Sequence, residues 1–144
     1  MWSDTLLALE RLHLERLAAW AGVSAILGTI LLGVLVLRRA RAPLVFHFAV
    51  QTALWGAAEL LLAALRWRAL AERDYAGAVR LAWSLRVAMG AEAICLIVGL
   101  TLAGVGWAIT RRLATVGAGG AIVVQCAALL VLDASLLARI VLPG

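Results

Sequence analysis

The chain has 144 residues, 65% of them hydrophobic, with a mean hydropathy of +1.04, far above the roughly 45–50% apolar content of soluble domains. One domain over residues 1–144 is the natural count at this length, and a single soluble core has no room for so much apolar surface, so an ordinary water-soluble globule is excluded. Net charge is +5 and all 13 basic residues are arginine, but they stand in short runs beside apolar segments, where they mark membrane edges; nucleic acid is rejected as a partner and the lipid bilayer is the expected one.

In chain order, residues 3–16, SDTLLALERLHLER, read as a short amphipathic interfacial helix. Ser3 or Asp4 caps it, Leu6, Leu7, Leu9 and Leu14 give its apolar side, and His13 is expected at headgroup level. The acids ahead of the first apolar run, and the length of that run, argue against a cleavable signal. Residues 17–37 form the first span, at ~1.5 Å per residue about 30 Å long, the thickness of the hydrocarbon core. Gly22, Ser24, Gly28, Thr29 and Gly33 give it small-xxx-small spacings, which let a second helix come close; a homo-oligomer or a membrane-protein partner would use such faces. Trp20 reads as an interfacial aromatic.

Arg38 to Pro43 is a tight basic turn, with Pro43 suited to the first turn of the next helix. The second span covers 44–65. Residues 66–81 read as an interfacial helix or helix-turn, with Glu72 and Asp74 as solvated partners of Arg66, Arg68, Arg73 and Arg80. The third span is 85–108, with Glu92 inside it and a small-residue row at Cys95, Gly99 and Ala103. A flexible turn, TVGAGG, leads to the fourth span at 120–141, and Arg139 and Pro143 stand at the end of the chain. Cys95 and Cys126 belong to no CxxC or Cys/His cluster, so they read as packing; neither a metal site nor a cofactor is expected.

The expected fold is therefore all-α: an integral membrane four-helix bundle with a short interfacial N-terminal helix. Its interior is the informative part. His47, Gln51, Trp55 and Glu59 stand four apart and form one slanted stripe on the second span. Counting inward at ~1.5 Å per residue, Glu59, Glu92 and Asp133 reach one depth, ~9–12 Å below one surface, with Ser24 near that level. Gln51 and Gln125, with Thr101, form a second layer. An ionised acid at a span centre costs on the order of 2.5–3.5 kcal/mol. The acids must be neutralised by protonation, by Arg66, Arg86 or Arg139, or by a bound cation.

Glu59, Glu92, Asp133, Gln51, Gln125 and His47 are thus the candidate polar, proton or cation site. The leading reading is structural: a small structural or accessory membrane subunit whose polar side chains fix helix packing. A proton- or cation-linked carrier or channel, and a pocket for a lipid, quinone or pigment, stay open beside it. An enzyme is not expected, because no nucleophile–base pair or His-rich metal set is present. A haem held by paired histidines is disfavoured, since His13 and His47 fall near opposite ends. Arginine placement puts both termini on the cytoplasmic side of a cell inner membrane.

These segments resemble a family of uncharacterised bacterial four-helix membrane proteins classified as a domain of unknown function. The likeness is carried by the lead-in ERLHLERLAAWAGVSAILGTILLG, by Phe46–His47 opening the second span with Trp55 and Glu59 further along, and by Glu92 with Val98–Gly99. Gly119–Gly120, Gln125 and Asp133 carry it in the fourth span. It implies the fold and the polar positions, and it implies no activity.

Overall fold

The structure, a computed structural model, describes residues 2–140. It contains four α-helices: α1 Trp2–Leu37, α2 Pro43–Arg68, α3 Tyr75–Ala108 and α4 Leu113–Leu137. All four are long and apolar enough, by length and composition, to cross a membrane. The expected spans 17–37, 44–65 and 85–108 fall inside α1, α2 and α3. The helix in the region of the expected fourth span, about 120–141, is α4, which begins at Leu113 and ends at Leu137; residue 141 and Pro143 lie outside the described residues.

The short interfacial N-terminal helix is not seen. Residues 3–16 are the first part of one 36-residue helix, ~54 Å long at ~1.5 Å per residue. No glycine or proline interrupts the chain before Gly22, so nothing ends the helix between Arg16 and Leu17. The buried stripe is also continuous: Leu6, Glu10, His13, Leu14, Leu17, Ala21 and Ser24 follow one another at helical spacing. Those first turns therefore pack against the protein and do not lie apart on a surface.

Two further expectations change. The polar stretch 66–81 is not an independent element: α2 runs to Arg68 and α3 starts at Tyr75. Asp74 is no arginine partner but the N-cap of α3, its carboxylate accepting from the Gly77 amide at 2.7 Å. The TVGAGG segment is helical, not a flexible turn. Its glycines serve packing: a Cβ on Gly117 would run into the Leu44 carbonyl, and one on Gly119 would stand 2.6 Å from both the Ala103 amide nitrogen and the Gly99 oxygen.

Close approach of this kind sets the helix order. α1 and α2 form one hairpin, α3 and α4 another, and the two join along α2 and α4. Gly28 meets the backbone of Ala49 and Ala53, while Gly56 meets that of Ala21 and Ala25. α1 touches α4 along a shorter stretch, whereas α2 and α3 nowhere come within 8 Å of each other between Cα atoms. The bundle is thus open along one side. The α1–α2 and α3–α4 turns each place an arginine in the left-handed region, Arg39 at φ 47° and Arg111 at φ 52°. Both follow a helix end closed by a reversed amide bond, Ala40 to Leu35 at 3.0 Å and Arg112 to Gly106 at 2.9 Å.

Two glycines separate packing from propensity. Gly56→Val is expected to lower stability by ~1–3 kcal/mol through overpacking against α1. Gly90 has nothing within 4 Å of its would-be Cβ, so Gly90→Ala is expected to raise stability by up to ~1 kcal/mol through helix propensity. Thermal unfolding followed by circular dichroism under one solvent condition checks both.

Candidate functional site

The gap between α2 and α3 holds a cavity of about 290 Å³. α2 contributes Trp55, Glu59 and Arg66, α3 contributes Glu92 and Cys95, and α4 closes the back with Cys126 and Asp133. Leu17 of α1 completes the wall. Ala58, Leu62 and Ala91 at the rim are exposed, so the cavity opens sideways. Glu59 and Glu92 each stand about 24 Å along their helices from the Pro43 and Ala108 ends, and Asp133 about 30 Å from Leu113, at ~1.5 Å per residue. The three carboxylates therefore share one cavity, with Asp133 about one turn further along.

Their partners differ. Asp133 is 4% exposed, and its Oδ1 lies 3.2 Å from His13 Nε2. The ring is near enough for an ion pair when protonated, but it is not aligned for a hydrogen bond, and its Nδ1 has no partner among the described residues. Glu92 is half-buried, within electrostatic range of Asp133, Arg66 and Glu59. Glu59 is 4% exposed, and neither of its oxygens has a hydrogen-bond partner among the described residues. A buried carboxylate without donors is the costly case, because desolvation is not offset by any bond.

His13 also lines a second cavity of about 170 Å³ with Glu10, Arg66, Arg73 and Ser84. Here Arg73 of the α2–α3 connection grips Glu10 with two bonds, Nε donating to Oε1 at 2.6 Å and Nη2 to Oε2 at 3.0 Å. Those bonds hold the Arg73 guanidinium above its usual value against the opposing effect of burial. A group raised in the folded state keeps its charge at every pH below its ordinary value, so on the acid side the clasp is limited by the Glu10 carboxylate and not by Arg73. Arg66 borders both the outer and the inner space, while His13 lines the outer one and stands 3.2 Å from Asp133, which lines the inner one.

The second polar layer is built differently from its expectation. Gln125, 1% exposed, accepts through Oε1 from Trp20 Nε1 at 2.7 Å and Ser24 Oγ at 3.5 Å. Ser24 belongs to this layer and not to the acids, and Trp20 faces Gln125 in place of an interface. Thr101 is exposed and donates to Ile97 of its own helix at 2.8 Å. Gln51 is half-buried and does not line the acid cavity. His47 is exposed at the opposite end, its ring edge-on to Phe46. Among the expected acid partners, Arg66 lines the cavity; Arg86 and Arg139 are exposed and do not.

His13 and Glu10 were not assigned to the interior by sequence reading. Dividing α1 at residue 16 placed both on an interfacial helix. The signal that finds them is the unbroken helical stripe from Leu6 to Ser24, which puts Glu10 and His13 on the same face as Leu17 and Ala21.

Gln125→Leu leaves the Trp20 indole N–H without its acceptor and is expected to cost ~1–3 kcal/mol in thermal or denaturant unfolding. Adding Trp20→Phe removes the orphaned donor, so the double variant is expected to recover part of that loss, giving a non-additive cycle.

No curated protein and no solved structure matches this chain. Residues 16–134 match a family of unknown function, DUF6992. The matched stretch runs from within α1 to just beyond Asp133 and so includes every acid of the inner cavity, while Glu10 and His13 precede it. This small all-helical protein with a buried acidic network belongs to the family of unknown function DUF6992.

Proposed function

We propose that the chain is a multi-pass integral membrane protein whose inner cavity is a proton- or cation-linked site of a carrier or channel, and not an enzyme active site. The observation that carries this reading is Glu59: a carboxylate whose two oxygens have no partner among the described residues, lining a cavity of about 290 Å³. An acid kept only for packing would be bonded, as Gln125 is. Glu59 is the kind of group that takes up a proton or meets a cation, because a lone charge in apolar surroundings is unstable by several kcal/mol.

Depth supports the same reading. With the Pro43 and Ala108 ends at one boundary of a ~30 Å hydrocarbon core, Glu59 and Glu92 lie about 24 Å in, close to the opposite boundary. That opposite face carries Arg66, Arg68 and Arg73, and the outer cavity opens there. Glu10, His13 and Asp133 then make a polar route from that face to Glu92 and Glu59. We place the protein in a bacterial inner membrane with both termini cytoplasmic, on the arginines around 66–86. A structural role fits the Gln125 layer, which is satisfied, better than it fits the acids.

Reconstituted in liposomes, the protein is expected to support a pH-dependent flux, read with an internal pH dye under an imposed proton gradient. Glu59→Gln and Asp133→Asn are expected to abolish it while the helical spectrum and unfolding temperature are retained. His13→Ala is expected to slow it, because the outer and inner spaces lose their connecting base. Flux unchanged in both acid variants would leave only the packing role.

A further inference from the structure

We infer that the inner cavity takes an organic monocation with an apolar body, a lipophilic amine or quaternary ammonium, that exchanges with a proton on Glu59. This rests on the reading of the cavity as a proton- or cation-linked site and adds the class of ligand.

The argument begins with charge. Asp133 has His13 beside it at 3.2 Å, and Glu92 has Arg66 within electrostatic range. Neither oxygen of Glu59 has a hydrogen-bond partner among the described residues. Of the three acids only Glu59 has both oxygens without one, so a positive charge on a ligand would be met there. An anion would face three carboxylates and is disfavoured. A neutral ligand gives the Glu59 proton no reason to leave.

Shape and lining choose among cations. A metal ion needs several donors converging within about 2.0–2.6 Å of one point. Among the described residues, no group of three or more His, Cys, Asp or Glu side chains is arranged to hold one. The cavity instead offers about 290 Å³, room for a small organic molecule. Its wall is largely hydrocarbon, with Leu17, Leu62 and Leu129 among the lining residues. Trp55 stands one turn from Glu59 on α2 and lines the same space. A carboxylate beside an indole suits an alkylammonium, which pairs its charge with the acid and lays its methyl groups on the ring face.

Access follows from the fold. The rim residues Ala58, Leu62 and Ala91 are exposed in the gap where α2 and α3 stay apart. A lipophilic cation partitions into the bilayer interface and would enter through this gap from the side. On entry the cation displaces the proton of the neutral Glu59 carboxyl to the surrounding buffer, so net charge in the cavity is unchanged. The groups that face Glu59 and set this exchange are Glu92 and Cys95 from α3, Asp133 and Cys126 from α4, and Arg66 on α2, with His13 of α1 acting through Asp133.

The test uses the full chain in nanodiscs of zwitterionic lipid, with tritiated benzyltrimethylammonium as the probe. We expect saturable binding of one cation per chain, release of one proton per cation into weak buffer, and tighter binding as pH rises. Glu59→Gln is expected to weaken binding by about tenfold or more, and Glu59→Asp to retain it within a few-fold. Neopentylbenzene, the uncharged isostere, and phenylacetate are expected not to compete. Equal competition by neopentylbenzene, no proton release from the unmodified chain, or undiminished binding in Glu59→Gln would overturn the inference. Infrared difference spectra across a pH step separate this from the reading beneath it. A carboxyl band that titrates and is lost in Glu59→Gln, with no cation binding, removes the ligand class and keeps a protonatable site. Absence of both removes the two together.

Discussion

An ionisable side chain inside an apolar helical protein must be given a counter-charge, a set of donors or a proton. That constraint organises this structure. Glu10 receives two bonds from Arg73, Asp133 receives His13, and Gln125 receives Trp20 and Ser24. Each solution joins parts of the chain far apart in sequence. Three of these partners, Glu10, His13 and Trp20, sit on one face of α1. The unusual length of α1 is what carries that face from the clasp with Arg73 to the contact with Gln125. Among the described residues Glu59 is the acid with both oxygens unpartnered, Glu92 leaving one, and both line the same open volume.

Backbone approach is the second determinant. In a chain whose helix surfaces are so uniformly apolar, helix pairs are distinguished by how closely their backbones can come, since one leucine face fits another without preference. Gly28 and Gly56 draw α1 onto α2, and Gly99 and Gly119 draw α3 onto α4. Gly117 brings α4 up to the start of α2. The longer side chains Trp55, Glu59 and Arg66 of α2 and Glu92 of α3 border the gap instead. The cavity is thus the complement of the glycine seams: where the small residues are absent, the helices stay apart.

Much of this was legible in residue patterns. Four apolar runs separated by arginine-rich turns gave four helices, and three acids at similar counts from their span ends were placed at similar depth. What escaped was continuity. A window of mixed charge at residues 3–16 resembles a surface helix when judged by composition, yet Glu10 and His13 keep the spacing of the buried stripe. Glycine had two meanings that sequence alone did not separate, loop and close contact, and TVGAGG took the second. Pairings across helices, such as His13 with Asp133 or Trp20 with Gln125, depend on rotation of each helix about its axis, which no local pattern states.

The two hairpins meet chiefly along α2 and α4, with a shorter brush between α1 and α4. The second line of contact is where His13 and Trp20 of α1 reach Asp133 and Gln125 of α4, so the hairpins are braced along two lines while the slot between α2 and α3 is left without backbone approach. Glu59 and Glu92 stand on the two walls of that slot, so the same bracing that holds the hairpins together sets how far apart the acids stand.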